Sequence, residues 1–436
     1  MQHIYKTEKV SRVLLKTAPP VMLAQLVLAL YNIVDSFFIG RYSADGLTAL
    51  SVIFPVQLLI TALAVGSGVG VNTLAAFFLG RGQHREAEEC AGTGSLLAFI
   101  TWLVVALLSV LFLPLLAKVS SNSAQVAHHT VVYGSIVCIG SQPVFMEGCW
   151  TKIHQAHGNM RLPMIAQICG AAVNIVLDPI LIFGLGPLPR MGIAGAAVAT
   201  VLGQFVAACI TASAFRKVPE VSLIWRYTAR IYKLGFPSIL MQALYTVYIL
   251  ALNIILSGFC DEAVTALGLY YKLQTFFFIP LFALETCIVP FLSYNFARKD
   301  FPRCKEIMSC CFGVCTVFML LAALCFEFMP AELIGLFSKD PKLMEIGIVA
   351  FRIIGLSFLP GVLSLITPIF FQAIGAGFCS SMLSVLRQIV CLVPIFWLCS
   401  LLGLNYSWLS FPLSETIAGV WGWILYKKTL RQWGLK

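Results

Sequence analysis

The sequence predicts an all-α membrane protein of twelve transmembrane helices, arranged as two parallel repeats of six. Three observations carry that prediction. Apolar runs long enough to cross a bilayer recur along the whole chain. Basic residues collect in alternate loops, and the sequence matches itself at one fixed displacement.

The chain has 436 residues, of which 59% are hydrophobic and 11% charged, and a mean hydropathy of +0.91. Soluble domains are roughly 45–50% apolar and about 25% charged, so this composition excludes a water-soluble globule. Apolar runs fall at 14–40, 47–79, 92–116, 126–151, 162–185, 192–215, 231–257, 264–297, 308–329, 343–371, 378–402 and 406–426. Each reaches the ~20 residues that cross a hydrocarbon core. Gly, Pro and Thr inside the runs suit helices rather than a barrel.

An even number of spans puts both termini on one side. The termini and the loops on that side carry 21 Lys and Arg, and the opposite loops carry 5. Basic residues stay in the cytoplasm, so both termini are expected there, in the cytoplasmic (inner) membrane. The net charge of +10 therefore records topology and does not point to nucleic acid. The 15 cysteines form no CxxC and no Cys/His metal spacing, and read as small buried hydrophobes. No cofactor is expected. A GxxxxGK[ST] loop is absent, which excludes ATP as the energy source. HExxH and GxSxG are absent as well, and no enzyme is predicted. The basic N-terminus shows no small-residue cleavage site after a short apolar core, so no cleaved signal peptide is expected.

The self-match has a displacement of 217 residues. Pro20 falls on Pro237, Gln25 on Gln242, Gln57 on Gln274, Arg81 on Arg298, Glu89 on Glu306 and Pro143 on Pro360. "QAHG" at 155–158 falls on "QAIG" at 372–375. The predicted organisation is a six-helix lobe at 1–215, a basic cytoplasmic linker at 216–230 and a second six-helix lobe at 231–436. Each lobe starts and ends in the cytoplasm, which makes the repeats parallel. Such halves enclose a cavity and rock to open it to either side, the architecture of a secondary transporter.

The repeat also serves as an internal control on two acids. Asp35 in "YNIVDSFFIGR" maps to Leu252, and Asp178 in "NIVLDPILIFG" maps to Ile395. The second lobe builds its matching helices without either, so the shared architecture does not require them. An acid at mid-membrane costs roughly 2.5–3.5 kcal/mol. Asp35 stands six residues before Arg41 and Asp178 six before Gly184. Both therefore sit about 9 Å below the outer helix ends, at one depth. Asn32 and Asn174 lie three and four residues earlier, each on its own aspartate's face. Two carboxylates in low dielectric repel when both are charged, so such a group takes a proton or holds a dehydrated Na⁺. The alternative is a pair of satisfied acids that pin helices together. Pro20 and Pro179 each free a carbonyl one turn earlier.

With those residues placed, the chain resembles the MATE (multidrug and toxic compound extrusion) transporters, in particular the bacterial DinF-like and MepA-like members. The resemblance spans the whole chain. Its motifs are "LYNIVDSFFIGR" at 30–41, "NIVLDPILIFG" at 174–184, "GIAGAAVAT" at 192–200 and "PFLSYNFARKD" at 290–300. It implies export of cationic amphipathic compounds against an inward H⁺ or Na⁺ gradient. It also implies a cation site at Asp35, Asn174 and Asp178, Thr200 as the sixth-helix threonine of some members, and Pro20 as the bend of the first helix. The seventh helix offers Gln242 and Asn253 where other members carry a glutamate.

Outside the motifs, Glu285 lies within the eighth span and is expected either to meet a cationic substrate or to pair with Arg387 in the eleventh. Gln242 and Asn253 are further candidates for substrate contact. Lys272 and Arg352 are expected to snorkel or to bond locally. "GSGVG" at 66–70 reads as close helix packing. The rival function is a lipid-linked oligosaccharide flippase of the same superfamily. The expected partners are small molecules and the bilayer, and a monomer is expected.

Overall fold

The hydrophobic runs become helical spans in the computed structural model, which describes residues 8–120, 124–184, 189–214, 221–337 and 340–435, with the backbone alone at a few helical positions that include Asn32. The first six spans are α1 (Val10–Tyr42), α2 (Ala44–Gly80), α3 (His84–Ser120), α4 with α5 (Ala124–Ile139 and Gln142–Ala156), α6 (Arg161–Phe183) and α7 (Ile193–Thr211). The next three are α8 (Val221–Ser257), α9 with α10 (Asp261–Phe277 and Ile279–Ala297) and α11 (Phe301–Phe328). A short α12 (Pro330–Gly335) precedes α13 with α14 (Pro341–Gly355 and Phe358–Ala373). Span eleven is α15 (Gly377–Val385), a π-helical stretch (Leu386–Leu392) and α16 (Val393–Ser400). A short α17 (Leu404–Ser407) leads to α18 (Ser410–Gln432). The described residues contain no strand.

Nine single helices among the described residues are long and apolar enough to cross a bilayer, and the pair α13–α14, bent by 54°, makes a tenth. The remaining two spans are α4–α5 and α18. Spans four and ten break at equivalent places in the two repeats. Pro143 and Pro360 each stand in the first turn after the break, where their missing N–H is tolerated. The π-helical stretch has no counterpart, since the equivalent part of α6 is regular. Pro394, just beyond it, withholds an N–H from the carbonyl of Val390 and so disturbs the ladder at that point.

The described residues divide into two units, 19–239 and 240–435, with 8–18 belonging to the second. Two helices thus change units beside a proline. The start of α1 packs in the second unit, where Arg303 Nη2 donates to the Glu8 carbonyl at 2.6 Å. The start of α8 packs in the first. There Tyr227 donates to Glu89 Oε2 at 2.9 Å, and the Tyr232 hydroxyl lies 3.0 Å from that of Thr101. Of the stretch assigned to a linker, 216–220 lies outside the described residues and 221–230 begins α8. Pro19 and Pro20 both stand inside α1, which is continuous through them.

Glycines set the closest crossings in the first unit. A Cβ at Gly68 would meet the Gly148 carbonyl at 2.7 Å, and one at Gly235 would meet the Gly66 carbonyl at 2.5 Å. "GSGVG" is therefore a crossing point of α2 with both α5 and α8. Gly170 on α6 and Gly203 on α7 form another, each lying against the other's carbonyl, with Asn174 Cβ at 3.1 Å from a Cβ built on Gly203. This contact draws α6 and α7 together one turn from Asn174 and Thr200.

Candidate functional site

One stripe of α6 builds the polar centre of the first unit. Ala166, Gly170, Asn174, Asp178 and Ile182 recur every four residues and are all buried, the spacing of a single helix face. Asp178 is 0% exposed, Asn174 and Thr200 are each 2%, and Asp35 is 7%. Asn174 Nδ2 donates to Asp178 Oδ1 at 3.5 Å and reaches Thr200 Oγ1 at 3.4 Å. The Asp35 charge acts on Asp178, and Tyr31 lies within reach of both acids. Tyr133 closes the group, with its hydroxyl 3.5 Å from Gln57 Nε2 and within bonding reach of Thr200. Four predicted residues thus come together: Asp35, Asn174, Asp178 and Thr200. The side chain of Asn32 lies outside the described residues.

The arrangement has acceptors in excess. Asp35 Oδ1, Asn174 Oδ1 and Asp178 Oδ2 are buried with no donor among the described residues. None of the ion pairs among the described residues involves either aspartate. Buried acids without a basic partner take a proton or a small cation, because two bare charges in low dielectric repel each other and have lost their water. Three free oxygens of carboxylate and amide type suit either. Tyr31, Gln57 and Tyr133 were not predicted. Gln57 and Tyr133 stand far apart in sequence, and an ordinary tyrosine in an apolar run gives no signal.

The second unit holds a different polar group. Arg387 Nη1 donates to Glu415 Oε1 at 2.9 Å, and each side chain keeps 13% of its exposure. The other Glu415 oxygen accepts from Ser364. Of the two alternatives for Glu285, direct pairing with Arg387 is not what the geometry shows: Glu415 takes that contact. Glu285 remains close enough to feel the guanidinium, but its buried Oε1 has no donor among the described residues. A tyrosine wall adjoins the group. Tyr245, Tyr248 and Tyr271 have ring centroids 5.5–6.3 Å apart, and Arg387 acts on Tyr245 and Tyr248. Gln242 and Asn253 stand half-buried on α8 in the same unit. Arg352 bonds locally, its Nε donating to the Glu327 carbonyl at 3.2 Å. An intramembrane acid count over the last span would have found Glu415.

The MatE family model matches the chain twice, over residues 20–180 and 237–398. The two matches begin one repeat displacement apart. An FAD transporter from Shewanella oneidensis is 26% identical over 434 residues, covering 96% of this chain and 95% of that protein. The multidrug export protein MepA of Staphylococcus haemolyticus is 23% identical, covering 95% and 92%. The solved structure of a Vibrio cholerae MATE transporter, in mutant form, superposes with a TM-score of 0.91 at 22% identity over 97% of each chain.

Proposed function

The chain belongs to the MatE family, a family of multi-pass membrane transporters and not of enzymes, and on that premise we propose that it is an ion-coupled exporter of cationic amphipathic compounds. The observation that carries the reading is the group in the first unit: among the described residues, three buried acceptor oxygens have no donor and the two acids no base. Such a group changes its charge when H⁺ or Na⁺ binds, and a change of charge is what couples an ion gradient to a conformational equilibrium. The relative named as a multidrug export protein supports the drug-export part of the reading.

In this scheme Asp35 and Asp178 receive the ion from outside, with Asn174 Oδ1 and Thr200 Oγ1 as the neutral oxygens. The coupling ion is cargo, and no resident cofactor takes part. Neutralisation lowers the cost of burying the acids, and α1 repacks at Pro20, beside the point where that helix changes units. Glu285, with Gln242 and Asn253, meets the cationic solute. The protein works as a monomer in the cytoplasmic (inner) membrane with both termini in the cytoplasm, the side to which 21 of its basic residues map.

The test is ethidium transport in proteoliposomes under an imposed H⁺ or Na⁺ gradient, with FAD as a second solute because of the Shewanella relative. Ethidium should move with the gradient and stop when an ionophore collapses it. Asp35→Asn protein should insert normally and lose the gradient-driven part. Transport of a lipid-linked oligosaccharide in place of any soluble cation would assign the flippase function instead.

A further inference from the structure

The second unit also brings two thiols together. Cys311 and Cys315 stand one turn apart on the buried stripe of α11, a helix that packs against α10 and α14. Both are free, both are 0% exposed, and their Sγ atoms lie 3.9 Å apart. Cys311 comes ten residues after Phe301, the first residue of the helix, which places it about 15 Å along the axis and at hydrocarbon depth. The shared scaffold does not ask for sulfur here, since the first repeat has Gly94 and Ala98 at the matching positions. Glu285 of α10 is near enough for its charge to act on Cys311, and its buried Oε1 has no donor among the described residues.

Geometry decides what such a pair can hold. A disulfide needs Cβ atoms roughly 3.5–4.5 Å apart, whereas residues four apart on a helix hold theirs about 5–6 Å apart. Oxidation would therefore have to unwind the turn. A structural zinc site needs four ligands, and among the described residues no third His, Cys, Asp or Glu joins the pair in an arrangement that holds a metal ion. A linear two-coordinate cation puts its sulfurs on opposite sides, roughly 4.6 Å apart for bonds of about 2.3 Å, which is wider than this pair. A trivalent arsenic atom differs on each count. It is pyramidal, so both sulfurs lie on one side of it at a narrower spacing, and its third bond is to its own carbon substituent. Two thiols are enough to saturate it.

We propose that Cys311 and Cys315 form a dithiol site for monosubstituted trivalent arsenicals, methyl or aryl. The reaction is an exchange without oxidation or reduction: R–As(OH)2 and two thiols give R–As(S–Cys)2 and two waters. Two As–O and two S–H bonds break, two As–S bonds form, and each thiol proton leaves with a departing hydroxide as water. No group changes its charge. That suits the place, because a charged product away from water is costly and the Glu285 carboxylate repels an anionic one. The bridge spans a single turn, so it holds α11 in the helical conformation it already has. The site is separate from the ion-coupling group and goes beyond the export reading.

Phenylarsine oxide is the probe, a neutral aryl arsenical that enters detergent and lipid and takes the R–As(OH)2 form in water. Purified full-length protein in detergent is incubated with it, washed with a monothiol that strips singly held arsenic, and assayed for arsenic per chain. Cys311→Ala and Cys315→Ala should each retain a single arsenic fewer than the wild type. Cys310→Ala removes the neighbouring thiol outside the pair and should match the wild type. Peptide mapping of the wild-type protein reads the same site without a variant. After denaturation and alkylation, Cys311 and Cys315 should be protected together, and both should alkylate once a small dithiol has removed the arsenic. Retention that survives in Cys311→Ala or Cys315→Ala, equal loss in Cys310→Ala, or alkylation of Cys311 and Cys315 in the arsenic-treated wild type overturns the proposal. None of these measurements involves transport, so gradient-driven ethidium export stands or fails apart from them.

Discussion

The two polar groups differ in what balances their acids. The first unit buries Asp35 and Asp178 with no basic side chain paired to them among the described residues, while the second ties Glu415 to Arg387 at 2.9 Å. The surroundings are otherwise comparable. Tyr31 and Tyr248 stand 217 residues apart, and each lies within reach of its own unit's charged groups. The chemistry changes at a few positions: Asp35 corresponds to Leu252, Gly170 to Arg387 and Asp178 to Ile395. An acid pair without a counter-charge is able to gain and lose an ion, and on the proposed reading its net charge follows the solution. An acid held by an arginine keeps its charge. On the proposed reading, one scaffold carries a charge-labile group in its first copy and a charge-fixed group in its second.

The largest expected effect comes from freezing the labile group. Asp178→Asn and Asp35→Asn should each reduce gradient-driven ethidium transport to the level of empty liposomes. The double variant should be no worse than either, since residues acting as one unit are not additive. Glu285→Gln should retain gradient dependence and alter only which solutes move. If Glu285→Gln lost coupling as completely as Asp178→Asn, the division of labour between the units would collapse.

Stability should move in the opposite sense. Glu415→Gln leaves a mostly buried guanidinium unpaired, which costs roughly 3–5 kcal/mol. Asp178→Asn removes an unbalanced charge and should leave thermal unfolding in detergent unchanged or slightly raised. Replacing both members of the pair, Arg387→Met with Glu415→Leu, should recover most of the loss, because buried ion pairs are about as stable as well-packed apolar ones. A fall in Tm for Asp178→Asn equal to that for Glu415→Gln would make the first group structural too.

Much of this contrast was legible in the sequence, and the reasons are local. Asp35 and Asp178 stand out because each interrupts an apolar run, and the second repeat builds the matching helices without them. Thr200 was reachable through its motif, but only the Gly170–Gly203 crossing fixes it beside Asn174. Glu415 was legible in principle as another acid inside an apolar span. Its partner was not, since Arg387 had two acids at hand and choosing between them needs the packing of α14 and α18. The π-helical stretch leaves only Pro394 as a cue, and a proline at that point is equally compatible with a plain kink. Gln57 and Tyr133 meet through tertiary contact alone.

A smaller effect tests how the first group is held in place. Gly203→Val puts side-chain atoms against the Gly170 carbonyl, 2.6 Å from an added Cβ. Forced separation of a close helix contact costs roughly 1–3 kcal/mol. It should also weaken ion-coupled transport, because Thr200 and Asn174 move apart along with the helices. Gly313→Val, with open space around the position, is the matching control in the second unit and should change neither stability nor transport. Loss of coupling in both variants would show that coupling responds to general loosening and not to the geometry of the acid group.

The smallest effect is expected from Glu262 and Lys342, an exposed pair 2.9 Å apart at the ends of α9 and α13. The hydrogen bond from Lys342 holds the Glu262 carboxyl below its ordinary value, and the carboxylate in turn holds the Lys342 ammonium above its own. The signs fix where this pair can matter. The contribution from Glu262 is complete above the ordinary glutamate pKa of about 4.3 and is lost as pH falls through the lowered folded value. The contribution from Lys342 is complete below the ordinary lysine pKa of about 10.4 and is lost as pH rises through the raised one. Between roughly pH 5 and 9 the pair is fully formed and its contribution is constant. Glu262→Gln should therefore leave the pH profile of transport unchanged across that range and barely alter Tm, since exposed pairs are screened by water and salt. A profile shifted by Glu262→Gln would move the pH-sensing element out of the first unit, to the helix ends of the second.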